Sequence, residues 1–285
     1  MKTLLIAADF SANARHAAEY GYQFAQQVKA DVILFNAFMI PVEMPQASIG
    51  MWPMYEYDEI TRSCDEDLDA LKQHLEVLNN SGFKPEIRCI VEPGMLPEAI
   101  EDVLATQEIS LVVMGTHNRS GLSGLVLGNH ARRMIDNTLH PLLLVPPHAK
   151  SRPIKKIAFA SDHQNLDDDL RSIYALIDMA KLINAEILLS FVLKAQGNSP
   201  VFEKYLRKLL LDLGNKANFP HIYYRVIWDS NAENGLDWLC DHGQIDMLAM
   251  VHKPHSFFDR LIKGSHTQKM AGHISIPLLV FPGKA

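Results

Sequence analysis

The chain has 285 residues, 48% of them hydrophobic and 21% charged, with a formal net charge of −6 and three cysteines. That is room for two ordinary domains with buried cores, and it excludes a disordered chain. No Lys/Arg cluster forms an electrostatic footprint for nucleic acid, and no apolar run approaches the ~20 residues of a membrane-spanning helix.

The opening, "MKTLLIAADF", has an apolar run from Leu4 to Ala8 that Asp9 ends. The run is too short for a secretion signal, so a first strand is expected near 3–8. Further strands are expected near 31–37, 85–91, 110–114 and 141–145, and helices near 12–28, 58–80, 96–106 and 129–139. Four of the strands are rich in Val, Ile and Leu, as in a parallel sheet covered on both faces. Strand–helix alternation implies right-handed crossovers and a doubly wound α/β domain. The stretch 148–156, "HAKSRPIKK", reads as a linker without core positions. Cys64, Cys89 and Cys240 lack CxxC spacing and are expected to be reduced thiols in a cytoplasmic protein.

The pattern then repeats. "TLLIAADFS" at 3–11 matches "KIAFASDHQ" at 156–164, and "HPLLLVPP" at 140–147 matches "IPLLVFPG" at 276–283. From Val91 and Ile227 onward the halves align at a constant offset of 136. The first half carries 19 more residues between its second and third strands, including the Met- and aromatic-rich stretch Met39 to Tyr57. That insertion is expected to cover part of the core, with a ligand or partner surface as the alternative. The expected fold is therefore two doubly wound, open five-stranded parallel-sheet domains, 1–147 and 153–285.

In an open parallel sheet, ligands bind beyond the carboxyl ends of the strands. Asp9 ends the first strand and Gly115 follows the fourth. Gly128 and Asn129 open the last helix of the first half, and Gly94 opens another. A helix N-terminus after glycine suits an anion. Neither a P-loop nor a GxGxxG motif is present, so the two commonest phosphate motifs are excluded.

Asp9, the run "VVMGTHNRSGLSGLVLGNHARRM" and the terminal "PLLLVPP" resemble the universal stress protein family, and the chain looks like a tandem pair of such domains. The resemblance implies a Rossmann-like fold of the adenine nucleotide alpha hydrolase type and ATP or a related adenine nucleotide as ligand, with Mg on the phosphates. Nucleotide-binding members carry Gly-x2-Gly-x9-Gly-Ser/Thr, and the matching positions here are Gly115, Asn118, Gly128 and Asn129, followed by His130. Asn tolerates positive φ and caps helices, so both substitutions are mild. The strand-two residue whose backbone reads adenine corresponds to Ala37. In the second half the equivalents are Asp162, Val192, Val251, Pro254, Gly264 and Ser265. There Val251 adds a β-branched side chain, Pro254 removes a donor, and Phe257 and Phe258 add bulk, which makes a degenerate site. Nucleotide is expected in the first half or nowhere.

Other features carry bland readings. His117, His130, His252, His255 and His266 are expected to be solvated loop histidines, not metal ligands. Asp167, Asp168 and Asp169 complement a helix dipole. Ser11 and Ser120 are loop or cap residues with no assigned base, so no dedicated enzyme is expected, and at most slow ATP hydrolysis. The expected role is stress sensing or signalling through an unnamed protein partner. The rival is an interaction scaffold that binds no nucleotide. Leu142 to Val145 and Leu278 to Phe281 are apolar edge strands, which invite pairing. The resemblance implies that they pair antiparallel, giving an intramolecular pseudo-dimer. A homodimer of the whole chain is a further expectation that no named residue carries.

Overall fold

The computed structural model describes residues 2–39, 52–78, 82–116, 129–161, 166–193, 200–253 and 275–283, without the side chains of 52–56, 167, 168, 201 and 233. The chain divides into two compact units, Met1–Gly115 and Thr116–Ala285.

The first unit holds β1 (Thr3–Ala7), α1 (Ala12–Val28), β2 (Asp31–Phe38), α2 (Trp52–Val77), β3 (Ile87–Pro93), α3 (Leu96–Thr106) and β4 (Leu111–Gly115). Its strands run in the order β3-β2-β1-β4, and the β1–β2, β1–β4 and β2–β3 pairs are parallel. Ile6 lies opposite Leu34 on one side and Val113 on the other, and all three are fully buried. Strands covered on both faces need apolar side chains pointing both ways, which is why these runs do not alternate.

α1 begins where Ser11 accepts a hydrogen bond from the Ala14 amide at 3.2 Å. It ends where Lys29 turns left-handed and donates its amide to the Ala25 carbonyl. Between these caps, small residues such as Ala14, Ala17, Ala18 and Ala25 are buried. Their size lets α1 lie close to the sheet. α2 starts at Trp52, six residues ahead of the expected position, so the end of the insertion is helical. The Tyr57 ring meets Phe38 at 5.7 Å between centroids. The remainder, 40–51, lies outside the described residues.

The second unit holds α4 (Asn129–Asn137), β5 (Leu142–Val145), β6 (Lys156–Ala160), α5 (Leu166–Ile183), β7 (Glu186–Leu193), α6 (Pro200–Ala217), β8 (Ile222–Trp228), α7 (Ala232–His242), β9 (Met247–His252) and β10 (Leu278–Pro282). Its strand order is β5-β10-β9-β6-β7-β8. The order β8-β7-β6-β9 reproduces β3-β2-β1-β4 of the first unit. β10 pairs antiparallel with β5, with Leu279 opposite Leu143, as the family resemblance implied. This pairing draws β5 into the second unit, so the division at 115/116 does not follow the repeat boundaries read from the sequence.

The linker needs a correction. Ala149 and Ile154 are 2% and 1% exposed, so the stretch does contain core positions. Asp246 anchors it by accepting from the amides of Lys155 and Lys156 at 2.9 and 3.0 Å and pairing with Arg152 at 2.8 Å.

Candidate functional site

In the first unit the strand order reverses beside β1: α1 leads to β2 on one side, and α3 leads to β4 on the other. Asp9 and Gly115 stand at the carboxyl ends of the two strands that flank this point. Asp9 is exposed, and one carboxylate oxygen accepts the Ser11 amide at 3.0 Å. Between them Phe10 takes φ 60°. The turn thus holds the carboxylate beside the start of α1.

Gly115 is required by close approach. A Cβ built there would lie 2.9 Å from the Asn13 carbonyl oxygen and 3.3 Å from the Ala17 Cβ. The first contact is with backbone, which cannot swing aside. Thr116 follows fully buried, its amide bonded to the Val145 carbonyl at 3.0 Å. Ala37 is half-buried near the end of β2, opposite Glu92.

One residue earlier on β2, Asn36 is 5% exposed. Its Nδ2 donates to the Ala8 carbonyl at 2.7 Å, and its Oδ1 is buried without a partner. Sequence reasoning missed this residue. The available signal was a lone amide inside the apolar run "DVILFNAF".

A cleft of about 370 Å³ lined by Phe10, Ala12, Arg15, His16 and Glu19 runs along α1. It shares only Phe10 with the sheet edge, and Glu19 is engaged with His74 at 2.8 Å.

Asn118 and Gly128 lie outside the described residues, as do Asp162, Gly264, Ser265 and the loop around Pro254. Asn129 and His130 open α4 in the second unit, and both are exposed.

The second unit presents a different edge. Val251, matching Gly115, is 9% exposed near the end of β9. Lys253, just beyond that strand, pairs with Asp169 at 2.6 Å. Asp169, in the first turn of α5, also accepts the Ser161 hydroxyl at 2.6 Å. Asp169 is 3% exposed, so besides standing in the first turn of the helix it is a buried acid. A buried carboxylate requires a counter-charge and hydrogen bonds, and Lys253 and Ser161 supply both. Val192 is covered by α7, where a Cβ built on Gly235 would fall 2.5 Å from it.

His252 is also corrected. It ends β9 with 7% exposure, and its Nε2 meets Asp136 at 3.2 Å. Among the described residues no group of three or more His, Cys, Asp or Glu could hold a metal. None of their helices is long and apolar enough to cross a membrane.

Comparisons with known proteins place this architecture. The profile of the Universal stress protein family matches residues 1–146. Universal stress protein E of Salmonella typhi is 37% identical over 65 residues, 23% of this chain and 21% of that protein, so the match spans about a fifth of that relative. Universal stress protein MJ0531 of Methanocaldococcus jannaschii is 26% identical over 144 residues, covering 50% of this chain and 81% of that protein. Among solved structures, a universal stress protein from Archaeoglobus fulgidus DSM 4304 matches with a TM-score of 0.73 and 15% identity, covering 98% of both chains. The cytoplasmic domain of a prokaryotic cation chloride cotransporter matches with a TM-score of 0.55 and 11% identity, covering 98% and 94%. At those identities the structural likeness is one of fold alone. With half of the chain matched by the family profile, and its strand order recurring in the remainder, this chain belongs to the universal stress protein family.

Proposed function

We propose that the chain is a tandem universal stress protein, with repeats 1–147 and 153–285, that binds ATP or a related adenine nucleotide in its first half. The observation that carries this reading is the exposed Asp9 carboxylate at the carboxyl end of β1, next to Gly115 on β4. Strand ends at a reversal of order are where open α/β sheets take ligands. A nucleotide hydroxyl bonded to that carboxylate is worth about 1.5–3 kcal/mol. The backbone beside Ala37 reads the base in this proposal. The phosphates, with Mg, fall to the segment running through Asn118 and Gly128 to Asn129 and His130. The second half, with Asp162, Val192, Gly264 and Ser265 at the matching positions, stays empty of nucleotide. Its edge is taken by Lys253 and Asp169 instead. The bound nucleotide would set the surface offered to a partner in a cytoplasmic stress response, with turnover slow or nil.

Mass spectrometry of small molecules released from the purified, denatured protein, followed by calorimetric titration with ATP, tests the reading. The expected result is one adenine nucleotide per chain, with Asp9→Ala weakening binding by roughly one to two decades. Two sites per chain, or no binding, would leave the proposal wrong.

A further inference from the structure

The Asn36 amide has one end satisfied and one end not. Its Nδ2 is held by the Ala8 carbonyl at 2.7 Å, while Oδ1 is buried and unpartnered. Buried polar atoms are nearly always paired, because leaving one unmade forfeits its hydration without return. An orphaned acceptor on a rigid strand therefore calls for a donor that comes from elsewhere.

Its position says where that donor would come from. Ala8 is the residue between β1 and Asp9, and Asn36 is two residues from the carboxyl end of β2. The amide thus sits at the edge where a ligand reaching Asp9 would lie. Its polarity is also fixed. The Ala8 carbonyl accepts only, so Nδ2 must face it, and the end left for a ligand is the oxygen. An amide flip would set two acceptors against each other.

The other repeat lacks the device. Ala8 donates its amide to the Phe35 carbonyl, and Ser161 donates its own to the Ser190 carbonyl. This register aligns Asn36 with Phe191, which is fully buried and packs edge-on against Phe202 at 5.7 Å. Where the second half completes its core with a ring, the first half keeps an unanswered acceptor.

We propose that Asn36 Oδ1 accepts a hydrogen bond from the exocyclic amino group of the bound base, so that the first half selects a 6-amino purine over a 6-oxo purine. This rests on nucleotide binding in the first half. A 6-oxo purine would bring its own acceptor against Oδ1, and sites built to bond a donor discriminate strongly against ligands that lack it.

The test is calorimetric titration of the full chain with ATP and with inosine triphosphate, which differ at that ring position. Wild type should prefer ATP by about 10- to 100-fold. Backbone groups also read base edges, so the informative quantity is the change in that ratio on substitution. Asn36→Leu keeps the branched heavy-atom outline and removes the amide; Asn36→Ala serves if the bulkier leucine variant does not fold. Either should bring the ratio several-fold closer to one. A ratio unchanged in the folded variant would overturn the assignment, as would equal loss of both ligands or a wild-type ratio of one. In those cases water or the ribose meets the Asn36 oxygen. Failure of wild type to bind either triphosphate would instead defeat the nucleotide reading itself, and this inference with it.

Discussion

The matching sheet edges of the two halves are built from opposite choices. At the ends of β1, β4 and β2 the first half places an exposed acid, a glycine without space for a side chain, and an amide with an unanswered oxygen. At the ends of β6 and β9 and the start of α5 the second half places a hydroxyl and a lysine that both engage a buried aspartate. One strand order supports both arrangements. The first keeps an exposed carboxylate and an unanswered amide oxygen, and the second pairs its acid with a lysine and a hydroxyl. The strongest ways to break this contrast are substitutions that open the closed edge or close the open one.

Opening the second edge should have the largest effect. In Lys253→Met the nearly buried Asp169 loses the Lys253 ammonium and keeps the Ser161 hydroxyl. Losing one partner of a buried pair is more damaging than losing both. The lysine side chain is 22% exposed and the aspartate 5%, so part of the interaction is screened. The expected loss is about 3 kcal/mol, at the low end for buried pairs. Asp169→Leu added to Lys253→Met should recover much of it, read by urea unfolding of all three proteins. A neutral single variant would mean that the pair is ornamental and the second edge is not closed by it.

Closing the first edge comes next. Gly115→Val installs the residue found at the matching position, Val251. The new Cβ would meet the Asn13 carbonyl, so α1 must shift away from β4. Overpacking of this kind costs about 1–3 kcal/mol. α1 packs directly on β4, whereas among the described residues α5 packs mainly on β7. Thermal unfolding should register the loss, and ATP affinity should fall with it. Unchanged stability would show that α1 can stand off freely, and that Gly115 is not what draws the first edge together.

Much of this fold is readable from the residues. α1 and α3 run over 12–28 and 96–106 as their amphipathic pattern predicts, and the strands fall within two residues of expectation. Asp9, Ala37 and Gly115 reach the sheet edge because strand ends are marked by where apolar runs stop. The pairings across the edge were not readable. Asp169 looks like any acid in a first helical turn until a lysine more than 80 residues later is brought beside it. His252 looks like a loop histidine until β9 extends to include it and Asp136 comes within reach. Asn36 looks like an interruption in a strand until the Ala8 carbonyl takes one end of its amide. Each depends on which side chains the topology brings together, and local pattern carries no information about that.

A smaller effect concerns how Asp9 is held. Ser11 caps α1 through the Ala14 amide and offers its own amide to Asp9. Ser11→Ala removes the cap and leaves the bond to Asp9, with an expected loss of about 1 kcal/mol. If Asp9 is the ligand contact, ATP affinity should weaken less than in Asp9→Ala. A larger loss of affinity in Ser11→Ala would move the contact from the carboxylate to the hydroxyl.

The smallest effect separates α7 from α3. The residue matching Cys240 is Leu104, buried and unable to titrate. Burial, with Asp237 and Asp241 nearby, pushes the Cys240 thiol up to about 12. An unfolded thiol ionises near 8.5, as a rough guide. Between those values the unfolded chain releases a proton that the folded chain keeps, so stability falls as pH rises. The effect is absent below about pH 8 and amounts to about 0.5–1 kcal/mol by pH 9. Burial also raises the thiols of Cys64 and Cys89, so the wild-type profile alone does not isolate it. The difference between wild type and Cys240→Ala does: urea stability at pH 7 and pH 9 should fall more steeply for wild type. Parallel profiles would mean that the thiol ionises in the folded protein near its ordinary value. Its reaction with a thiol reagent at pH 8 should then be as fast as that of an exposed cysteine, where we expect it to be slow.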